Sequence, residues 1–184
     1  MKKVSFFLLG AAFLASSLAF AAPKAPITLA VQSDKSRVDF IGSKAADFHT
    51  GSFTVKGGSV QIEAGKLVGG SFVIDLANLK VTDAAGDRLA GHLKSPDFFD
   101  VAKFGEATYT ISSVNYTSAT ACTISGNLNI KGVPVPVSFA ANIRSASEKG
   151  LFGQAYFSLD RTLLGIAYAG PSNDVQIAVH LFAK

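Results

Sequence analysis

The chain has no tryptophan, a single cysteine, no methionine beyond the initiator, and three histidines. One cysteine excludes an internal disulfide, so the fold must be held by its core and not by cross-links. Cys122, in "ATACTISG" near the start of a predicted strand, reads as a small buried hydrophobe. His49, His92 and His180 lie far apart, and neither H-x-x-H nor C-x-x-C spacing occurs, so the sequence supplies no metal-binding motif. Charge is also sparse, at 16% of residues. No basic stripe gathers, which argues against nucleic acid as a partner. There is no G-x-S-x-G elbow for a nucleophile, and "GGSFVID" lacks the Lys-Ser/Thr ending of a phosphate loop. Beyond residue 21 no stretch approaches the roughly 20 continuous apolar residues of a membrane-spanning helix.

What is present begins with an export signal. Lys2 and Lys3 precede the apolar run "VSFFLLGAAFLASSLAF", and Ala19 and Ala21 occupy the small-residue positions of a cleavage site before Ala22. Residues 1–21 are therefore expected to be a signal peptide, and the short Lys-Lys start suits a protein bound for the periplasm. Removing them leaves about 163 residues, one ordinary domain over 22–184. The formal charge falls from +4 to about +2, so the basic balance comes partly from the signal.

Period-two alternation recurs through this domain, as in half-buried strands. "SRVDFIG" sets Val38 and Phe40 on one face, "GSFTVKG" sets Phe53 and Val55, and "GGSFVIDLANL" sets Phe72, Ile74 and Leu76. "ATYTISSVNY" sets Tyr109 and Ile111, "CTISGNLNIKG" sets Ile124, Leu128 and Ile130, and "VPVSFAANIRS" sets Val135, Val137 and Phe139. "FGQAYFSLD" and "DVQIAVHLFA" complete about eight or nine strands. Gly57-Gly58, Ala64-Gly65, Lys131-Gly132 and Lys149-Gly150 are expected to turn the chain between them. An antiparallel meander with one apolar face can close into a barrel and lose its edges, and a two-sheet sandwich would carry the same pattern. Pro134 and Pro136 fit an edge, a strand start or a bulge.

One segment breaks the all-β pattern. In residues 83–100, "DAAGDRLAGHLK" reads as a short helix, followed by Ser95 as an N-cap, Pro96 at the first helical position and Asp97 in the first turn. Leu89, Leu93, Phe98 and Phe99 on this insertion must be buried, and the open end of a barrel is the natural partner. Full burial of four such side chains is worth on the order of 6–12 kcal/mol.

The run "GHLKSPDFFDVAKFGEATYTI", followed by "ISGNLNIKGVPVPVSF" and ending in "DRTLLGIAYAG", resembles the YceI-like family over nearly the whole mature chain. Its most specific element is the pattern H-L-K-S-x-D-F-F-D-V-x-K-[FY]. The resemblance implies an extended antiparallel eight-stranded lipocalin-like barrel with a helical excursion over one end. It also implies a periplasmic protein that holds a long apolar molecule: a polyisoprenoid, an isoprenoid quinone or a fatty-acid amide. Such a molecule would be cargo and not a cofactor. No enzyme activity is implied, and a homodimer is compatible with the same resemblance.

The fifteen phenylalanines and four tyrosines carry the question of function. Alternation alone does not distinguish a filled interior from a lined cavity, and the resemblance favours the cavity. The expected ligand-binding residues are Phe40, Phe53, Phe72, Ile74, Leu89, Leu93, Phe98, Phe99, Tyr109, Ile111, Leu128, Phe139 and Phe157. His92 is expected to pin the insertion through a hydrogen bond, with Ser95, Asp97 and Asp100 capping helical ends or bonding nearby backbone. Two other classes stay open at this point: a lipid- or isoprenoid-modifying enzyme using His92 with an acidic partner, and a stress or interaction protein with a filled barrel.

Overall fold

The computed structural model describes residues 25–184. The expected signal peptide and its cleavage site lie outside the described residues. The elements run β1 (Ile27–Ala30), β2 (Arg37–Lys44), β3 (Asp47–Glu63), β4 (Lys66–Val81), α1 (Gly86–Lys94), β5 (Glu106–Tyr116), β6 (Ala121–Ile130), β7 (Val133–Ser147), β8 (Gly150–Asp160), a 3₁₀ turn (Arg161–Leu164) and β9 (Asp174–Ala183).

Every strand pairing is antiparallel. Strands β2 to β9 close into an eight-stranded barrel in which β3 pairs with β4 on one side and β2 on the other, while β9 joins β2 to β8. Strand β1 is a ninth, short addition. It pairs with β3 at Ile27↔Ile62, and Val31 bridges to Ala183, so it covers the far end beyond the start of β2. The barrel thus has two unlike ends. One carries β1 and the hairpins at 63–66, 116–121 and 147–150. The other carries the β2–β3 and β6–β7 hairpins, α1 with its trailing loop, and the long β8–β9 connection.

Gly57-Gly58, expected as a turn, lies inside β3, which runs unbroken for 17 residues. The register with β4 shifts between Val55 and Gly57, so the pair marks a bulge that bends a long strand around the barrel. Gly58 has φ +138°, and a Cβ there would lie 2.6 Å from the Phe72 Cα, so glycine is required for this close crossing. The prolines behave as their chemistry demands. Strand β7 pairs with β8 only from Ala141 to Ser147, so Pro134 and Pro136 lie in a segment bonded on the β6 side alone.

The insertion is the other departure. Helix α1 ends at Lys94, and Ser95 is its extended C-terminal cap, not the N-cap of a second helix. Pro96 cannot continue α1 and disfavours helical backbone before it. The four residues 96–99 form turns closed by Phe98 N and Asp100 N donating to the Ser95 carbonyl at 3.1 and 2.9 Å. The Ser95 hydroxyl is buried without a hydrogen-bond partner. Asp97 is exposed and caps nothing. Asp100 acts through its backbone instead: it stands at φ +47°, and its carbonyl accepts from Lys103 N and Phe104 N. Its carboxylate pairs with Lys103 at 3.2 Å. Cys122 is buried as expected, and burial pushes its thiol pKa up.

Candidate functional site

Strand alternation sends one set of side chains inward, and their sizes divide the barrel into two halves. In the half near β1, Val55, Val60, Ile62 and Leu67 are almost fully enclosed and fill the interior. The half toward α1 holds a cavity of about 520 Å³. Its boundary falls between successive inward positions of the same strands. Phe53, Phe72, Tyr109, Phe139, Phe157 and Val179 line it, whereas the next inward residues, Val55, Gly70, Ile111, Ala141, Ala155 and Leu181, do not. A chain of aromatic contacts crosses this boundary: Phe72 to Tyr109 at 5.7 Å, Tyr109 to Phe139 at 5.5 Å, and Phe139 stacked on Phe157 at 4.4 Å.

Tyr109 is laid against the wall by its surroundings. Its hydroxyl donates to the Val137 carbonyl at 3.1 Å, two strands away, and the ring passes over Gly126 on the strand between. A Cβ at Gly126 would sit 2.7 Å from the Tyr109 Cζ, so only glycine leaves room. Burial pushes the phenol pKa up to about 12.

Of the expected ligand-binding residues, Phe40, Phe53, Phe72, Ile74, Leu89, Leu93, Phe98, Phe99, Tyr109, Leu128, Phe139 and Phe157 all line this one cavity. Ile111 does not. Strand β5 runs away from the mouth, so Ile111, two residues beyond Tyr109 in unbroken register with β6, lies one level deeper, packed against the core. The insertion supplies Leu89, Leu93, Phe98 and Phe99 to the cavity, with Phe99 edge-on to Phe53 at 5.6 Å. Lys131 ties this loop to the β6–β7 hairpin by donating to the Phe98 carbonyl at 2.8 Å.

Polar groups collect at the mouth, and here the structure adds residues that sequence reasoning missed. Arg161 is buried at the head of the β8–β9 connection. Its Nε donates to the Ser172 carbonyl at 2.9 Å, Nη1 to Ile166 at 2.6 Å, and Nη2 to Tyr168 and Pro171 at 2.8 and 2.9 Å. A buried charge must be compensated, and here backbone carbonyls do it, folding residues 162–173 around the guanidinium. The one sequence signal was an arginine entering the apolar run "RTLLGIAYA" directly after a strand.

That loop presents Tyr168 to the insertion. The His92 ring meets Phe98 at 4.9 Å and Tyr168 at 5.0 Å, both edge-on, and Phe98 and Tyr168 lie 5.0 Å apart. His92 is therefore held by ring contacts in place of the expected hydrogen bond. The histidine with an acidic neighbour is His49, whose Nδ1 lies 3.3 Å from an Asp83 oxygen. Asp83 also accepts from Thr50 N at 2.7 Å and Ala85 N at 2.8 Å, fastening the start of the insertion to β3. These backbone donors hold its pKa below the ordinary 3.8. His49, His92, Ser43, Lys44 and Ser172 all border the cavity, and their strand and loop positions put them at its open end. Among the described residues no three His, Cys, Asp or Glu side chains gather as a metal site would require.

Known proteins share this architecture and sequence. BcnA of Burkholderia cenocepacia superposes with a TM-score of 0.71 at 19% identity, over 84% of this chain and 99% of that one. A polyisoprenoid binding domain from Saccharophagus degradans, implicated in plant cell wall breakdown, gives 0.65 at 18% identity over 85% and 97%. At such identities the likeness is one of fold. In sequence, a UPF0312 protein of Pseudomonas savastanoi pv. phaseolicola is 28% identical over 180 residues, covering 94% of this chain and 91% of the relative. A UPF0312 protein of Pseudomonas fluorescens is 30% identical over 130 residues, 67% of this chain and 66% of that protein. The sequence model of the YceI-like domain matches residues 29–183, the whole barrel from β1 to the end of β9, and on that match this chain belongs to the YceI-like family.

Proposed function

We propose that this protein is an exported carrier that sequesters one long apolar molecule (a polyisoprenoid, an isoprenoid quinone or a fatty-acid amide) inside its barrel, and that it works in the periplasm after loss of residues 1–21. The observation that carries this reading is the cavity of about 520 Å³, walled mostly by Phe, Leu, Ile and Val, with the Tyr109 hydroxyl bonded into the wall and the charged and imidazole side chains toward the mouth. Its size and lining are those of small-molecule sites, which are mostly apolar with a few placed polar groups. The Saccharophagus degradans domain, whose fold this chain shares, is a polyisoprenoid binding domain, which supports the ligand class.

The mechanism is partition. Each methylene moved from water into the barrel gains about 0.8 kcal/mol, so a hydrocarbon tail needs no covalent step to be held. The tail points toward the aromatic floor and the polar head stays among His49, Ser43 and Lys44 at the rim. The insertion closes over the tail through Leu89, Leu93, Phe98 and Phe99. Organic extraction of the purified protein, followed by mass spectrometry, tests the reading: a stoichiometric apolar molecule is expected, and its absence from protein prepared out of its native cell sinks it. A turnover assay on the extracted molecule, with His92→Ala and His49→Ala beside the unaltered protein, separates carriage from catalysis. N-terminal sequencing of the exported protein reads the cleavage site, and light scattering tests for the homodimer with which the family resemblance is compatible.

A further inference from the structure

We propose that the aromatic belt of Phe72, Tyr109, Phe139 and Phe157 is a length ruler that sets this carrier to a tail of about 15–18 carbons. The inference rests on the carrier reading and deepens it by naming the tail.

The cavity is not a tunnel through the barrel. Inward positions on six of the barrel strands line it, and the next positions on the same strands are excluded from it. Below the belt, Val55 and Val60 are fully enclosed and Ile62 and Leu67 nearly so, leaving no continuation toward the far end. The belt is also fixed in place. Tyr109 is hydrogen-bonded to Val137 and backed by Gly126, while Phe139 and Phe157 stack within 5° of parallel. A tail entering at the mouth therefore meets a floor.

The volume above that floor gives the length. At roughly 30 Å³ per non-hydrogen atom, the share of one water in the liquid, a cavity of about 520 Å³ holds about 17 atoms. That suits a saturated acyl chain of about 16–18 carbons or about three isoprene units. A polyprenyl tail twice as long would leave half its length in water, where it gains nothing from the barrel.

The floor has a weak point that makes the ruler testable. Phe139 and Phe157 sit just above Ala141 and Ala155, a facing pair of small residues where β7–β8 pairing begins. Phe139→Ala should join the cavity to the space over these alanines and lengthen it. Val179→Phe, on β9 beside the strand of Phe157 and paired with Ala155, should fill the bottom of the cavity and shorten it. The experiment is displacement of anilinonaphthalene sulfonate by a series of primary fatty amides from about 8 to about 24 carbons, with circular dichroism to confirm that each variant is folded. In the unaltered protein affinity should rise about fourfold per methylene and stop rising near 16–18 carbons. The break should move to longer chains in Phe139→Ala and to shorter ones in Val179→Phe. Affinity that keeps climbing through the whole series, or a break at one length in every folded variant, overturns the ruler while leaving the carrier reading intact. If no amide displaces the probe and extraction yields no apolar molecule, the carrier reading falls and the ruler with it. Should either variant fail to fold, the break in the unaltered protein and the shift in the remaining variant decide.

Discussion

The Nη2 of Arg161 donates to the carbonyl oxygen of Tyr168 at 2.8 Å, across seven residues of chain. Through this bond a buried cation on the barrel's rim sets the position of an aromatic ring over the mouth. Tyr168 then meets His92 and Phe98, which belong to the insertion on the other side. The two capping segments are thus joined by side chains far apart in sequence, and the joint depends on one guanidinium.

Arg161→Ala should leave four backbone carbonyls without their donor and lower stability by about 3 kcal/mol or more, because hydrogen bonds to a charged group are each worth about 1.5–3 kcal/mol. Arg161→Lys restores the charge but not the planar fork, so it should recover only part of the loss. Urea denaturation measures both. A loss under about 1 kcal/mol for Arg161→Ala would show that the 162–173 loop holds its shape without the guanidinium.

Phe98 is buried and Leu93 half-buried, and both face the cavity. Leu93→Asp and Phe98→Asp should each shorten ligand retention or prevent folding, since a carboxylate there is desolvated with no partner. Phe98→Ala should cost about 3–5 kcal/mol if the space left behind does not collapse. Dissociation rates of bound lipid, with thermal melts alongside, check this. Aspartate variants that fold and hold ligand as the unaltered protein does would remove the insertion from the site.

Asp83 fastens the insertion to β3, and its folded-state pKa lies below the ordinary 3.8. A depressed pKa means that the stabilisation is complete above the unfolded value and is lost as pH falls through the folded one. Hydrogen exchange of the α1 amides should therefore accelerate below about pH 4 before the barrel amides follow. Asp83→Asn should abolish that acid-selective step. Uniform loss of protection across barrel and insertion would mean that Asp83 is no separate latch.

Tyr109 presents the opposite sign. Its folded-state pKa is raised to about 12 by burial, so the folded form keeps its proton where the unfolded chain has lost it. Stability from this group is present below the ordinary 10.0 and is lost as pH rises from there through about 12. In a spectrophotometric alkaline titration Tyr116, which burial also pushes up, should ionise after the exposed tyrosines, and Tyr109 in a separate last phase together with unfolding. Tyr109→Phe should remove that late phase and cost about 1 kcal/mol through the bond to Val137. Gly126→Ala should cost about 1–3 kcal/mol by driving a methyl into the ring.

The sequence by itself determined the strands and which side chains share a face, while the barrel and its cavity were expected from the family resemblance, since a sandwich or a filled core carries the same alternation. Alternation is local: a residue's face follows from its parity in the strand, so Phe40, Phe72, Phe139 and Phe157 could be assigned inward without knowing which strands are neighbours. The motif around Phe98 and Phe99 identified the insertion because an apolar surface with no partner of its own must find one. Tertiary structure decided how deep each inward residue lies. Ile111 and Tyr109 have the same parity and differ only in level, which depends on strand stagger and bulges set by pairing partners, and that difference puts one under the floor and the other in it. The Gly57-Gly58 pair illustrates the same limit, since a glycine pair serves a bulge as well as a turn. The role of Ser95 turned on where α1 ended. The contacts of Tyr168 with His92 and of His49 with Asp83 join segments far apart in sequence, and the lone arginine in an apolar run became meaningful only once its own loop had folded its carbonyls around the charge.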